Sequence, residues 1–445
     1  MKAALLAFVL FASLTASAVR AEPVLLISID GLRPGDVLEA EQRGLKVPNL
    51  RRFLTEGAYA TGVSGVLPTL TYPSHTTLIT GVSPARHGVV NNFTFDPTLI
   101  NQGGWYWYAS DITAQTLWQA AAAGKHSVAN VHWPVSVGAS GITWNLPQIW
   151  RTGHDDDAKL VNALATPGLI ASLEKATGEG YAPGIAEDIA SDEKRGRFAV
   201  KLIETRKPGF ATVYLAALDH QQHVDGPDTP SAHAVLERID AIVGKLVAAE
   251  RSAHPDAVIA VASDHGFAAV NHEFNLYRAF IDARLIRLTA DGKIKEWDAV
   301  PWSSGGSIAI VLARPTDAAL TGKVAGLLSQ LQADPANGIA AVIDKAAIDK
   351  AGGNPRASFY LDLTTGTTFS GYTGADAPLN STPHYKGMHG YFPGNPLMRS
   401  TFMVMGHGVP RGKSLGEIDM RAIAPTLARI LKVRLEGAEV PALKF

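Results

Sequence analysis

Three short apolar runs of this sequence end in residues able to bind a metal ion. Val24–Ile29 runs into Asp30-Gly31, residues 211–218 run into Asp219 with His223 four positions on, and residues 257–262 lead through Ser263 to Asp264-His265-Gly266. One aspartate after a strand is an ordinary helix cap or turn starter. Three such ends together carry three carboxylates and two imidazoles, just where open α/β sheets place their ligands. Carboxylate oxygen and neutral imidazole nitrogen suit Zn2+, whereas Mg2+ prefers oxygens and retained waters. Two such ions about 3.5–4 Å apart can stabilise both the entering and the leaving oxygen of an in-line displacement. The spacing of Asp219 and His223 puts them on one helical face or one tight turn, where they can grip one ion.

A nucleophile candidate lies upstream, in Pro68-Thr69-Leu70-Thr71-Tyr72-Pro73-Ser74-His75-Thr76-Thr77-Leu78-Ile79-Thr80-Gly81. Pro73 fits the first turn of a helix and Gly81 its C-cap. Thr71 then sits at the helix N-terminus, where backbone N–H groups and the dipole favour a phosphate. A free threonine hydroxyl is too weakly acidic to attack at neutral pH, but bound to zinc it could lose its proton and attack as an alkoxide. Taken alone, Thr71 reads as an N-cap.

These groups need rigid elements to hold them. Residues 24–29, 128–131, 211–218, 257–262 and 402–405 are apolar and mostly rich in β-branched residues, as buried strands are. Helix-like stretches separate them at 48–56, 114–123, 193–205 and 232–249, and another at 422–431 closes the chain. That alternation predicts an α/β fold, a largely parallel sheet with helices on both faces. Two regions depart from it. Residues 93–192 are loop-rich and aromatic, and Trp105, Trp107, Trp144 and Trp150 there could line a ligand slot or pack as ordinary buried aromatics. Residues 285–382 read as an inserted cap, with strand 308–312, a helix near 318–331 and a Gly-rich stretch.

The 445 residues carry 40 Lys plus Arg against 41 Asp plus Glu, so no net charge steers the chain toward nucleic acid or an anionic membrane. The absence of cysteine excludes disulfides, lipoprotein acylation, cysteine nucleophiles and thiolate metal sites. Lys2, an apolar run over 3–14 and small residues through Ala21 lay out a signal peptide over residues 1–21, with cleavage after Ala18 or Ala21. The run falls short of the roughly 20 residues that span a bilayer, so no stable membrane anchor is expected. A periplasmic or secreted location follows as the expectation.

Ser28-Ile29-Asp30-Gly31, residues 68–81, His87-Gly88-Val89-Val90-Asn91-Asn92, residues 219–223, residues 263–266 and Met388-His389-Gly390-Tyr391 occur in this order. The ordered set resembles the nucleotide pyrophosphatase/phosphodiesterase (type I phosphodiesterase) family of the alkaline phosphatase superfamily. The resemblance implies an alkaline-phosphatase-like three-layer αβα sandwich, formed by residues 22–445 as one catalytic domain. It implies two zinc ions per chain, one held by Asp30, Thr71, Asp264 and His265, the other by Asp219, His223 and His389. It implies that Thr71 attacks phosphorus to form a phosphothreonyl intermediate. Asn92 would donate to a non-bridging phosphate oxygen, and Tyr72 would stack on a nucleobase or form plain pocket wall. The implied substrate is a small phosphodiester or pyrophosphate, with nucleotide types favoured.

Other readings share parts of this pattern. Sulfatases carry Cys or Ser in a C/S-x-P-x-R motif, whereas this segment reads Thr71-Tyr72-Pro73-Ser74-His75. Some threonine-type phosphomonoesterases carry a Lys-x-Arg pair for the extra charge of a terminal phosphate. The segment His132-Trp133-Pro134-Val135-Ser136-Val137-Gly138 has none, although Lys125, Arg151 or His154 could still reach the site. A phosphomonoesterase and a phosphonate hydrolase, which also uses threonine, stay open as alternatives. A mutase of the superfamily normally uses serine and is cytoplasmic, and the signal segment argues against it. An exported, non-catalytic metal-binding protein would explain the ligands but not Thr71 at a helix start with Asn92 downstream.

Overall fold

An eight-stranded mixed sheet organises the computed structural model, which describes residues 21–101, 104–149, 154, 156–182 and 186–445. The expected signal peptide lies, but for Ala21, outside the described residues. In chain order the strands are β1 (Val24–Ile29), β2 (Gly57–Tyr59), β3 (Val128–Val131), β4 (Trp144–Leu146), β5 (Phe210–Leu215), β6 (Val258–Ala262), β7 (Phe402–Gly406) and β8 (Lys413–Ser414). Across the sheet they run β8-β2-β7-β6-β1-β5-β3-β4. β1 pairs in parallel with both β5 and β6, while β7 runs antiparallel to β6 and β2.

Five helices matter for the site: α1 (Thr71–Thr80), α2 (Ile189–Arg206), α3 (Ala217–Asp225), α4 (Pro230–Ala253) and α5 (Ile423–Leu431). Side chains alternate across β1, so Leu25, Ile27 and Ile29 enter one apolar layer and Val24 and Leu26 the other. The first layer is closed by α2, α4 and the helix Pro48–Glu56, through residues such as Leu202, Val243 and Phe53. The second is closed by α1, α5 and the helix Leu117–Ala123, through Ile79, Leu427 and Trp118. The result is a three-layer αβα sandwich. Each fully buried Leu, Ile or Phe contributes roughly 1.5–3 kcal/mol, enough in sum to hold the strand ends rigidly under a site.

A separate apolar cluster surrounds a four-stranded antiparallel sheet, in the order Ala299–Ser304, Ser307–Leu312, Phe359–Leu363, Ile339–Asp344. The helix Ala318–Ala333 packs there through Leu320, Val324 and Leu328. This sheet lies within the stretch expected as a cap. No described helix is long and apolar enough to cross a membrane.

Several boundaries differ from the sequence reading for local reasons. The strand expected over 211–218 stops at Leu215, because the Asp192 carboxylate accepts from Ala216 N at 3.1 Å and Ala217 N at 2.8 Å and so starts α3. The helix expected over 114–123 begins at Leu117, where Thr116 and Gln119 form a capping box. α2 and α4 start earlier than their periodic stretches, at the caps Asp188 and Thr229.

Candidate active site

β6, β1 and β5 are neighbours, so their carboxyl ends open side by side. Asp30 follows β1, Asp264 and His265 follow β6, and α3, entered directly from β5, presents Asp219 and His223 one turn apart. His389 arrives from a loop after the short strand Gly387–Met388. Gly390 has φ +86°, and a Cβ there would lie 1.8 Å from the Ser304 carbonyl oxygen, so glycine is what lets this loop come close.

Two clusters result: Asp30, Asp264 and His265 offer donor atoms within 4.8 Å of one another, and so do Asp219, His223 and His389. His265 Nε2 lies 3.3 Å from Asp30 Oδ1 and 3.1 Å from Asp264 Oδ2. His223 Nε2 is 3.4 Å from Asp219 Oδ2, and His389 Nε2 is 3.6 Å from Asp219 Oδ1. The rings of His265 and His389 stack at 3.6 Å and tie the clusters together.

The outer hydrogen bonds set the tautomers. Nδ1–H of His265 donates to the Gly266 carbonyl at 3.1 Å, that of His223 to Gly387 at 2.9 Å, and that of His389 to Thr69 at 3.0 Å. A carbonyl only accepts, so each neutral ring turns its Nε2 lone pair toward the carboxylates. Asp30 Oδ1, Asp219 Oδ1 and Asp264 Oδ2 are buried without a hydrogen-bond partner. Lone pairs facing buried anions repel, and a cation between them converts both into ligands. The charge states agree. Burial, with Asp264 and Asp219 nearby, holds Asp30 well above the carboxylate range; burial also raises Asp264 and pushes Asp219 up to about 8. Burial lowers His265, takes His223 down to about 4 and His389 to about 3. The donor set fits two divalent cations that accept nitrogen and oxygen.

Thr71 is the first residue of α1, after Leu70 as N-cap, and all ten residues of that helix are buried. Its Oγ1 lies 3.4 Å from His265 Nε2, and with Asp30 and Asp219 it lines a cavity of about 420 Å3. Asn92 lines the same cavity and accepts from Tyr72 N at 2.9 Å through Oδ1, which leaves its NH2 group as the end able to donate. Asn91 fixes the turn, accepting from Asn92 N at 2.7 Å and donating to the Ser303 carbonyl at 2.7 Å. Tyr72 and Trp105 also line the cavity, their rings 5.4 Å apart. Trp107 and Trp144 instead pack against the first apolar layer, and Trp150 and Arg151 lie outside the described residues. Lys125 and His154 are exposed and do not line the cavity. Among the described residues its lining holds no lysine or arginine, and it includes the further carboxylates Glu187 and Glu273.

Some residues at the site carry no spacing signal. Tyr214 donates its hydroxyl to Asp30 Oδ2. Glu187 borders the cavity, its carboxyl held well above the usual range by burial and the Asp219 charge. Arg195 pairs with Asp192 beneath α3 and donates to His132 Nε2 at 2.7 Å, and the His132 ring stacks on Tyr214 at 5.8 Å. A buried chain thus runs from Asp30 under the sheet end to the first turn of α3. His75 had a signal, one turn after Thr71: its ring lies 2.8 Å from both Ser28 Oγ and the Thr71 carbonyl, and 3.5 Å from Asp264.

Comparison with known proteins places this arrangement. The family described as type I phosphodiesterase / nucleotide pyrophosphatase matches residues 24–392. Ectonucleotide pyrophosphatase/phosphodiesterase family member 3 of Rattus norvegicus is 25% identical over 254 residues, 55% of this chain and 25% of that one. Bis(5'-adenosyl)-triphosphatase ENPP4 of Bos taurus is 27% identical over 227 residues, 50% of this chain and 42% of that one. The matched region therefore spans less than half the length of either relative. Murine ectonucleotide pyrophosphatase/phosphodiesterase 5 shares the fold, with a TM-score of 0.65 at 18% identity, covering 95% of this chain and 97% of that one. An inactive threonine-to-alanine form of that murine protein has been solved with AMP, at the same TM-score and identity and covering 95% of this chain and 96% of that one. By the span of its match, this chain belongs to the type I phosphodiesterase / nucleotide pyrophosphatase family.

Proposed function

We propose that the chain is a metal-dependent hydrolase that cleaves phosphodiester or pyrophosphate bonds of small nucleotide-type substrates through a phosphothreonine intermediate. The observation that carries this reading is Thr71 Oγ1, at the first residue of a buried helix, 3.4 Å from His265 within two carboxylate–imidazole clusters. Asp30, Thr71, Asp264 and His265 would hold one ion, and Asp219, His223 and His389 the other. Zinc, when bound, supplies positive charge that lowers the pKa of a coordinated hydroxyl and balances charge on phosphate oxygens. Thr71 attacks phosphorus in line, the leaving alcohol or phosphate departs, and water then hydrolyses the phosphothreonyl ester. Asn92 Nδ2 donates to a non-bridging oxygen as its charge grows. His75, donating to the Thr71 carbonyl, keeps the first turn of α1 in place.

Two observations favour a diester over a monoester: the described lining offers no lysine or arginine for a second phosphate charge, and it places the acidic Glu273 there instead. The bound AMP of the murine relative supports nucleotide-type substrates. The apolar leader read over residues 1–21 supports export to the periplasm or medium. The test is turnover of bis(4-nitrophenyl) phosphate against 4-nitrophenyl phosphate by zinc-loaded protein and by Thr71→Ala. Expected is a clear diester preference and a loss of at least about 10^3-fold in Thr71→Ala. A monoester preference sinks the diester assignment, and full turnover by Thr71→Ala sinks the nucleophile.

A further inference from the structure

The two oxygens of Asp30 sit in different surroundings. Oδ2 accepts a hydrogen bond from the Tyr214 hydroxyl, while Oδ1 is buried without a hydrogen-bond partner and lies 3.3 Å from His265 Nε2. Asp264 divides in the same way. Its Oδ1 accepts from Gly31 N at 3.2 Å and from the Ser263 hydroxyl at 3.4 Å, and its Oδ2, also without a partner, is 3.1 Å from His265 Nε2. Each carboxylate thus has one oxygen held by the protein and one left facing the His265 lone pair. The last torsion of an aspartate is broad and two-fold, so a carboxylate turns readily unless a donor fixes it. At Asp264 a backbone N–H does this, and at Asp30 the Tyr214 O–H does.

Tyr214 is itself firmly held. It pairs with Ser28 across β1 and β5, and Asp30 N donates to the Leu215 carbonyl at 2.9 Å, so phenol and carboxylate leave adjacent strands together. The Tyr214 side chain is buried and packs against two imidazoles, His75 edge to face at 4.7 Å and His132 nearly parallel at 5.8 Å. His132 is fixed in turn, because Arg195 donates to its Nε2 at 2.7 Å while also donating to Asp192 and, at 2.8 Å, to the Ala186 carbonyl. Tyr214 lines the cavity at Thr71, but its one hydroxyl proton is committed to Asp30 and is not offered to a substrate. We propose that Tyr214 is a positioning residue for the ion of Asp30, Asp264 and His265, its hydroxyl turning Asp30 so that Oδ1 is the ligating oxygen. The assignment rests on the reading of both clusters as metal sites.

The test compares the wild type with Tyr214→Phe, which removes the hydroxyl and keeps the ring. Zinc-loaded protein is equilibrated with a graded series of a competing chelator, and the zinc retained per chain is read by elemental analysis. The wild type should hold two ions. In Tyr214→Phe one of them is expected to bind about 10- to 100-fold more weakly, the usual cost of losing an outer hydrogen bond to a ligand, with the other unchanged. The same shift should appear in a His389→Ala background, which damages the other cluster, and be absent in an Asp264→Ala background. If Tyr214→Phe does not fold, His132→Gln takes its place, keeping an acceptor for Arg195 but removing the stacked ring, with the same selective weakening expected. Equal weakening of both ions marks Tyr214 as support for the fold alone and overturns the assignment, as does an ion held unchanged or more tightly. A wild type that takes up no zinc overturns the metal-site reading and this assignment with it, whereas two ions in the wild type with no shift in the variant overturn the assignment alone.

Discussion

Asn92 shows how one hydrogen bond selects a side chain's chemistry. Because Tyr72 N donates to its Oδ1, the amide cannot flip without losing this N–H of the first turn of α1, so Nδ2 remains the donor. Loss of one preorganised donor to a growing oxyanion costs about 10^2–10^3 in rate. Asn92→Ala is therefore expected to lower kcat on a diester by about 10^2-fold while bound zinc, read by elemental analysis, stays at the wild-type level. A variant that lost zinc in step with activity would point to a ligand or folding role instead. At this scale the sequence was informative wherever motif and chemistry coincide, as at Asp30, Thr71, Asp219 and Asp264. It was silent on Tyr214 and Glu187, whose relevance comes from what they touch.

Among the elements, α1 explains why periodicity could not locate the nucleophile helix. All ten of its residues are buried, so no polar face alternates with an apolar one. Its threonines are accommodated by donating to local carbonyls: Thr76 to Tyr72 at 2.8 Å, Thr80 to Thr76 at 2.7 Å and Thr77 to Val82 at 2.9 Å. α4 carries a different cost. Glu250, near its C-terminus, is only 1% exposed, its Oε2 has no partner, and burial pushes its carboxyl up to about 7 from 4.5. The folded state then holds a proton that the unfolded state releases, so stability is greatest below the unfolded value and falls as pH rises through about 7. Glu250→Gln is expected to stabilise by an order of 1–3 kcal/mol at pH 8 and by little at pH 4.5. Denaturant melts at both pH values check this, and an equal gain at both would contradict the buried-charge account.

For the whole molecule, the two clusters join β1, β6, α3 and the loop that carries His389. Ions bound there in the native state alone would stabilise the entire chain by mass action. Chelation is expected to abolish hydrolysis and lower the melting temperature, and zinc should restore both. The size of the drop carries a sign. With Asp219 raised to about 8, the metal-free protein takes up a proton at pH 6 that partly relieves the carboxylate repulsion. By pH 9 that proton is gone, so the chelator-induced drop should be larger at pH 9 than at pH 6. A drop that is larger at pH 6 would contradict this.

The sequence by itself determined the donor types, the nucleophile candidate and the alternation that builds an αβα sandwich, because strand ends, caps and apolar periodicity are local properties of the chain. Val24–Ile29 and Val128–Val131 were legible to the residue for that reason. The place of β5's end was not, because it depends on Asp192, some 25 residues away in sequence. Only the tertiary structure decided which imidazole nitrogen faces the carboxylates, since His389 donates to Thr69 across 320 residues and His223 to Gly387 across 164. It also decided that Trp105 lines the cavity while Trp107 and Trp144 pack elsewhere. Ring environments and hydrogen-bond partners are set by which distant surfaces meet, and no local pattern encodes that.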